Sequence, residues 1–307
     1  MVRIGLDVGA TKTVGLLCTE SGRVLHRVRQ KSAVKDPDKL YADIRNLIQK
    51  LTGESPERPA AACIGIAAFV DHATGHIHYA PNLQVENFPL GERLQRDLGM
   101  PIHIDNDVNC GVLGEARFGA ARGVQHVVGL FIGTGIGAGI VTHGHLLRGA
   151  RGIAAEAGHT LFIPGGRMCG CGRRGCFEAY AGGRFIRESV VRACRAHPKS
   201  RLCAEEAKNL TGVWRAMSDG DPVARAIWDK AILALRVLVT NLVTLFDPEM
   251  VLLGGTIIHE LPQVADAVRE FLVAQRLRGI LHTIPLTQAV LGGDAVALGA
   301  ACLPDQP

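Results

Sequence analysis

The sequence predicts an α/β fold built from two related lobes. Short apolar runs typical of strands alternate with longer segments of helical periodicity along the chain. A pattern of apolar strand, glycine turn and second apolar strand occurs twice, at residues 2–18 and 126–141. Internal similarity of this kind marks repeated structural units, so we expect each lobe to open with a β-hairpin.

Between and after the two hairpins, the hydrophobic pattern predicts the remaining elements. Strands are expected over three short apolar runs, at 61–66, 101–104 and 250–253. Helices are expected over seven longer segments, at 38–51, 90–98, 108–118, 179–197, 222–246, 261–275 and 294–302. This alternation argues against an all-helical or all-strand protein.

The composition is that of a globular protein and gives no sign of a nucleic-acid or membrane partner. Of 307 residues, 47% are apolar and 21% are charged, and the net charge of +5 is spread along the chain. No apolar run approaches the roughly 18 residues of a membrane span, and no signal-peptide pattern opens the chain. We therefore expect a cytoplasmic protein whose nine cysteines are buried or bind metal.

Two glycine turns have the composition of phosphate-binding loops. The first combines backbone N–H groups with a carboxylate that could hold Mg²⁺ through water, in the run Asp7, Gly9, Thr11 and Lys12. The second is Gly133-Thr134-Gly135. Either turn alone could be a tight hairpin that needs glycine at positive φ. Their recurrence at the start of each lobe favours a nucleoside triphosphate clamped from both sides.

A further glycine pair, Gly254-Gly255, follows the predicted strand 250–253. Small residues at this position would let an adenine or a ribose lie against the backbone. A glycine turn at the end of a strand explains the pair equally well.

A polar cluster follows the predicted strand 101–104, namely Asp105, Asn106, Asp107 and Asn109. Ligand sites in open α/β sheets favour the carboxyl ends of strands. Asp105 or Asn106 could serve only as a helix N-cap, which leaves the other members unexplained. We predict that Asp107 is the base that accepts the proton of a substrate hydroxyl, with Asn106 bonded to a neighbouring hydroxyl.

The most specific motif is a cysteine block, Cys169-Gly-Cys171-Gly-Arg-Arg-Gly-Cys176, with Glu156-x-x-His159 before it and Glu178 after it. Three clustered cysteines and one histidine supply the four ligands of a tetrahedral structural zinc site. Free thiols are the alternative, whereas a catalytic zinc would need an open position and a redox pair would favour Cys-x-x-Cys spacing. A zinc here would also fix where the two glutamates point, which suits a pocket for a hydroxyl-rich ligand.

Taken together, these motifs and Pro81-Asn82-Leu83 resemble the ROK family of bacterial sugar kinases, repressors and uncharacterised proteins. The resemblance spans residues 4–302 in family order. It implies the two-lobed actin-like ATPase (ribonuclease H-like) fold, with a cleft between lobes and a zinc loop in the larger one. We expect a small lobe over 1–117, on which the C-terminal helix 291–307 packs back, and a large lobe over 118–290.

The resemblance also implies a role for each motif, with Asp107 as the catalytic base. The sugar pocket would be lined by Asn82, Asn106, Asp107, Glu156, His159 and Glu178. ATP and Mg²⁺ would be held by Asp7, Gly9, Thr11, Lys12, Gly133, Thr134, Gly135, Gly254 and Gly255. Structural zinc would be held by His159, Cys169, Cys171 and Cys176, which leaves the second ring nitrogen of His159 for a sugar hydroxyl.

The predicted function is ATP-dependent phosphorylation of a hexose, with glucose to glucose 6-phosphate as the leading case and a homodimer as the expected assembly. Ala67-Ala68 stands where the family often has Pro-Gly, so N-acetylmannosamine, N-acetylglucosamine and fructose remain alternative substrates. Polyphosphate is the alternative donor. From other classes, the alternatives are a non-catalytic sugar-binding protein and a sugar-responsive repressor, whose DNA-binding helix-turn-helix would have to precede the first strand.

Overall fold

The computed structural model describes residues 1–203, 209–274 and 284–307, which fall into two units. The first unit comprises Met1–Val127, Gly139–Ala155 and Ala289–Pro307. The second unit comprises Val128–Ala138 and Glu156–Gln288. The lobe boundaries expected from the sequence stay a prediction. Within the described ranges, no helix is long and apolar enough to cross a membrane.

In the described ranges the strands are short and form three sheets. In chain order they are β1 Val2–Val8, β2 Lys12–Thr19, β3 Val24–Lys31, β4 Ala62–Ile66, β5 Phe69–Asp71, β6 His76–Ala80, β7 Val85–Phe88, β8 Ile102–Asn106, β9 Val127–Ile132, β10 Ile136–Thr142, β11 His145–Leu146, β12 Met250–Gly254 and β13 Leu286–Gln288. The sheet orders are β3-β2-β1-β4-β8, β5-β6-β7 and β11-β10-β9-β12-β13. In the first of these, β1, β4 and β8 are parallel.

The helices range from four residues to twenty-five. In chain order they are α1 Pro37–Gly53, α2 Leu90–Leu98, α3 Asp107–Phe118, α4 Glu178–Ala181, α5 Gly183–Ala196, α6 Leu210–Ser218, α7 Pro222–Phe246, α8 Thr256–Glu260, α9 Gln263–Ala274 and α10 Ala295–Ala300. The two longest, α1 and α7, each begin at an Asp-Pro pair. Asp36 and Asp221 cap the first N–H groups, and the proline fixes φ where no N–H is needed.

The first unit has three layers. On one face of its sheet, apolar side chains of β1 and β4 share a buried core with α1 and α2. On the other face, β2 packs against α10 in a second cluster that includes Leu16 and Leu298. A guanidinium fork from Arg3 of β1 to Asp305, with N···O distances of 2.7 and 2.8 Å, ties the C-terminal segment to this unit.

Most predicted elements are confirmed to within a few residues, and the predicted helix 179–197 is wrong in one respect. It is two helices, because the backbone is extended at Gly182, with φ −71° and ψ 140°. The N–H groups of Gly183 and Arg184 then donate to the carbonyls of Gly133 and Thr134, at 2.9 Å each, so the second helix starts with partners. The pattern missed β3, the β5-β6-β7 sheet, β11, β13, α6 and α8; Gln275 lies outside the described residues.

Helices α3 and α10 approach each other at backbone distance. A Cβ built on Gly299 would lie 1.7 Å from the carbonyl oxygen of Cys110, and one on Gly114 would lie 2.3 Å from that of Ala295. Only glycine permits this contact. The packing matters for function because α3 begins at Asp107.

We expect Gly299→Ala to lower the free energy of unfolding by about 3 kcal/mol, because the added methyl must push α10 away from α3. Urea denaturation of the purified protein measures the effect. Gly293→Ala is the matched control, since no atom lies within 4 Å of its added Cβ, and its change should stay within about 0.5 kcal/mol. Equal stability of the two variants would contradict the close packing.

Candidate active site

The parallel strands of the first unit bring two acidic segments to the same sheet edge. Asp7 of β1 is opposite Gly65 of β4, and Gly65 is opposite Asp105 of β8. Residues in one row of a sheet point to the same face. The chain then continues from Asp105 to Asp107, the first residue of α3. Asp7 and Asp107 are both partly buried there.

The amide of Asn106 orients the start of α3. Its Oδ1 accepts from the N–H groups of Val108 and Asn109, at 2.8 and 3.2 Å, so Asn106 is the N-cap. Its Nδ2 donates to the carbonyl oxygen of Ala68 at 3.3 Å. The capping role foreseen for Asp105 or Asn106 therefore belongs to Asn106, and one amide hydrogen of this side chain is left for a ligand.

Asp105 fixes the end of β8 through buried hydrogen bonds, a role that the sequence did not indicate. It is 3% exposed and accepts from Arg148 Nε at 2.7 Å and from Asn109 Nδ2 at 2.9 Å. Arg148 is itself 9% exposed and also donates to the carbonyl oxygen of Pro307 at 3.1 Å. A buried ion pair with its remaining hydrogen bonds satisfied fixes geometry more reliably than it adds stability. Asp105 thus holds the backbone from which Asp107 projects.

The site places two carboxylates where burial disfavours their charge. Burial, and next the charge of Asp107, raise the pKa of Asp7 to about 7, against the opposing attraction of Lys12. Burial also raises the pKa of Asp107, although the N–H of Val108 lowers it in part. A cation placed between the carboxylates would relieve both effects, which fits the Mg²⁺ that Asp7 was expected to hold.

In the first glycine turn, the backbone conformation at Gly9 does not require glycine. The N–H of Gly9 donates to the carbonyl of Lys12 at 3.1 Å, yet Gly9 is outside the positive-φ region. A Cβ at Gly9 would meet only the Lys12 oxygen, at 3.4 Å. The hairpin explanation that required positive φ is therefore wrong for this turn. Thr11 is exposed and Lys12 partly buried, with Lys12 close enough to act on Asp7.

In the second unit, the turn Gly133-Thr134-Gly135 is joined to Glu178. The Glu178 Oε2 accepts from the N–H of Ile136 at 3.0 Å, and a Cβ at Gly135 would lie 2.4 Å from that oxygen. Gly135 therefore serves the close approach of a carboxylate, which the sequence reasoning did not foresee. Gly133 and Thr134 instead line a cavity of about 450 Å³.

This cavity has the size of a small-molecule pocket, and several of its polar residues were missed from the sequence. They come from the start of α5, from α6 and from α8, and include Arg184, Arg187, Asn209, Thr211 and Thr256. Gly254 and Gly255 are not among its lining residues in the part of the chain that is described. Gly255 has φ +90°, and its added Cβ would lie 2.4 Å from the carbonyl oxygen of Ile132, which supports the turn interpretation.

The cysteine block and His159 form a group of suitable size for a metal ion. Their four donor atoms lie within 4.8 Å of one another. Cys169 Sγ is 3.6 Å from His159 Nδ1, and Cys171 Sγ is 3.7 Å from Cys176 Sγ. Two thiolates on a tetrahedral zinc with bonds of about 2.3 Å are separated by about 3.8 Å. The donor set and its spacing thus fit zinc, and Nδ1 of His159 is the nitrogen that faces the group.

Two remaining sugar-pocket candidates have less defined surroundings. Asn82 lies on an exposed turn between β6 and β7, and no hydrogen bond joins it to Asn106 or Asp107 among the described residues. Glu156 is partly buried, and its carbonyl accepts from the N–H of His159 at 3.0 Å. Glu178 Oε1 accepts from the Cys169 thiol at 3.7 Å, so this glutamate is tied to both the turn and the cysteine block.

The raised pKa of Asp7 predicts a pH-dependent penalty on stability. An acid whose folded pKa exceeds its unfolded value of about 3.9 costs stability as pH rises from there through the folded value. We expect the free energy of unfolding of Asp7→Asn to rise relative to that of the parent as pH increases from about 4 to about 7, where the raised pKa lies. The slope of this gain should be at most ~1.4 kcal/mol per pH unit. Urea melts in magnesium-free buffers measure this difference. Asp229→Asn, at an exposed position, is the control and should not show this pH dependence. A pH-independent effect of Asp7→Asn would refute the prediction.

This chain is similar to known proteins along nearly its whole length. A model of the ROK family matches residues 3–306. Glucokinase from Thermotoga maritima is 35% identical and covers 98% of this chain and 96% of its own length. Xylose repressor from Caldicellulosiruptor bescii is 28% identical, and the match covers 98% of this chain and 77% of the repressor.

The fold is similar to that of solved ROK structures. A ROK family glucokinase from Streptomyces griseus, crystallised with glucose and AMPPNP, superimposes with a TM-score of 0.80 at 30% identity. The match covers 99% of each chain. The predicted two-lobed actin-like ATPase fold is thereby confirmed. The family model spans nearly the whole sequence, and the chain belongs to the ROK family.

Proposed function

We propose that this protein is an ATP-dependent glucokinase that converts glucose to glucose 6-phosphate. The observation that carries the proposal is the placement of Asp107 at the first position of α3, beside Asp7 and the Lys12 turn. The full-length similarity to glucokinases supports the same activity. A non-catalytic sugar-binding protein would have no need for this costly pair of carboxylates.

Asp107 would act as the base for the O6 hydroxyl of glucose. A bond forms between O6 and the γ-phosphorus of ATP, the bond from that phosphorus to the β,γ-bridging oxygen breaks, and ADP leaves. The hydroxyl proton passes to Asp107. Its raised pKa makes Asp107 a better proton acceptor than an ordinary aspartate, provided that it is ionised when the sugar binds. Mg²⁺ bound with ATP supplies charge neutralisation at the phosphates.

The chain's own polar groups would orient the two substrates. Asn106 offers its free amide hydrogen to a sugar hydroxyl next to O6, since its oxygen is committed to the helix cap. In the second unit, Gly133 and Thr134 would contact phosphate, and Arg184 and Arg187 would offer cationic donors from the same cavity. Asn82, Glu156, His159 and Glu178 remain the proposed contacts to the other hydroxyls.

We also propose that the cysteine block binds structural zinc. When bound, zinc supplies a cross-link of four ligands and no open position for chemistry. His159 would use Nδ1 for the metal, as the 3.6 Å distance to Cys169 suggests, and leave Nε2 for a sugar hydroxyl. Glu178 follows Cys176 by two residues, so the cross-link would fix its carboxylate as well.

A panel of hexoses and N-acyl hexosamines tests the activity directly. We expect ADP release with glucose and ATP to exceed that with fructose, N-acetylglucosamine or N-acetylmannosamine. Asp107→Asn should lower kcat by about 10²–10⁴-fold, because it removes the proton acceptor and keeps the shape of the side chain. Calorimetry should show nearly unchanged glucose binding in the variant.

Two outcomes of that panel would overturn parts of the proposal. Substantial residual kcat in Asp107→Asn would remove Asp107 from its role, and no turnover with any sugar would leave only the binding-protein alternative. A polyphosphate arm in place of ATP identifies the donor. The carbonyl of Ala68 bonds Asn106, so preference for another hexose would point to the Ala67-Ala68 replacement.

Cys176→Ser tests the link between zinc and the sugar pocket. We expect the variant to lose bound zinc, measured by elemental analysis, and to bind glucose more weakly, because His159 and Glu178 lose their bracing. Cys203→Ser, at a thiol outside the group, should change neither quantity. Normal glucose affinity in zinc-free Cys176→Ser would separate the metal from the pocket.

The expected homodimer, the absence of a nucleic-acid partner and the cytoplasmic location stay proposals. Native mass and a gel shift with genomic fragments address the first two. The gel shift has a specific motive, since a repressor is among the relatives of this chain.

A further inference from the structure

The second unit contains another cavity, separate from the one lined by Gly133 and Thr134. It has a volume of about 470 Å³ and lies where α5 and α7 meet the cysteine loop, the segment 160–177 that contains the cysteine block. The two cavities share no lining residue. None of the motifs that indicate a sugar kinase contributes to it.

Three cations converge on this cavity. They are Arg167 of the cysteine loop, Arg192 of α5 and Lys230 of α7. Among the described residues none of the three forms an ion pair, and the neighbouring carboxylate of Glu188 is taken by Arg184 at 3.1 Å. Like charges gathered in one concavity repel one another, and an anion would remove that cost.

The cations are held over aromatic rings instead. The Arg167 guanidinium carbon is 5.6 Å from the centroid of the Tyr180 ring, and Lys230 Nζ is 6.0 Å from the same centroid. Lys230 Nζ is also 5.7 Å from the ring of Phe162. Tyr180 is 7% exposed, so its ring is a fixed neighbour of both Arg167 and Lys230.

The rest of the lining is largely apolar. Ala193 of α5 and Val223 and Ile227 of α7 line the cavity, with Ser189 and His197 as further polar groups. The volume is within the range of small-molecule pockets, and the site is open to solvent, since Arg192 and Lys230 on its wall are exposed. A bare inorganic anion would leave this apolar wall in contact with water, whereas a ligand with an apolar body would cover it.

We propose that this cavity is a second ligand site, which binds an organic phosphate monoester. The phosphate would lie among Arg167, Arg192 and Lys230, and the apolar or aromatic body would lie against α5 and α7. A dianionic phosphate matches several cations better than a monoanionic carboxylate does, and arginine binds phosphate oxygens through paired donors.

The site is connected to the cysteine loop by backbone hydrogen bonds. The N–H of Arg167 donates to Tyr180 Oη at 2.9 Å, and its carbonyl accepts from the N–H of Gly175 at 2.8 Å. Gly175 precedes the ligand Cys176, and Tyr180 follows Glu178 by two residues. A ligand that holds Arg167 and Tyr180 would therefore steady the loop that leads into Glu178 at the start of α4 and raise the melting temperature.

Calorimetric titration of the full-length protein with 1-naphthyl phosphate tests the proposal, in the presence of saturating glucose and AMPPNP. We expect one site, with weaker binding of 1-naphthoate and of inorganic phosphate. Arg192→Ala and Lys230→Ala should each weaken binding of the probe about tenfold or more. Arg195→Ala, at an exposed arginine of α5 outside the cavity, should leave it unchanged.

The titration does not depend on kinase activity, so its outcome is distinct from that of the hexose panel. Glucose turnover should be unaffected in Arg192→Ala and Lys230→Ala. Unchanged affinity in both variants, absence of binding, or binding that occurs only when AMPPNP is left out would each overturn the proposal. A change in native mass on Lys230→Ala without probe binding would assign this face to subunit contact instead.

Discussion

The parallel register of β1, β4 and β8 is the constraint on which the first unit depends. It sets Asp7, Gly65 and Asp105 in one row, so two acidic segments far apart in the chain meet at one sheet edge. The third strand of the row then runs directly into α3. Gly65 has no side chain, and an added Cβ would lie 2.5 Å from Val296 of α10. Glycine in this row therefore lets α10 pack closely against the sheet.

This arrangement concentrates negative charge where the protein can least solvate it. Asp105 escapes the problem because Arg148 neutralises it at 2.7 Å inside the fold. Burial raises the pKa of both Asp7 and Asp107, and the attraction of Lys12 opposes that rise only in part at Asp7. Such a pair is poorly suited to stability and well suited to hold a cation and take up a proton, which is the combination that a phosphoryl-transfer site uses.

In the second unit, Glu178 connects two segments that are separate in the sequence. One carboxylate oxygen accepts from the backbone of the turn that follows Gly135, and the other accepts from the thiol of Cys169. The glycine turn and the cysteine loop are therefore linked through one side chain. The sequence indicated both motifs. It could not indicate that Gly135 leaves room for the carboxylate of Glu178, because these residues are 43 positions apart and meet only in the folded chain.

The sequence by itself determined the family, the alternation of strands and helices, the cysteine block and the acidic cluster, because each of these depends on local residue types and their spacing. Only the tertiary structure decided which oxygen caps α3, that Asp105 is an anchor, and which residues of α5, α6 and α8 line the cavity at Gly133. It alone also gathered Arg167, Arg192 and Lys230 around one cavity. The physical reason is that charge compensation and cavity lining depend on neighbours in space. Those neighbours come from distant segments, and the local pattern of one segment does not show which other segment it will contact.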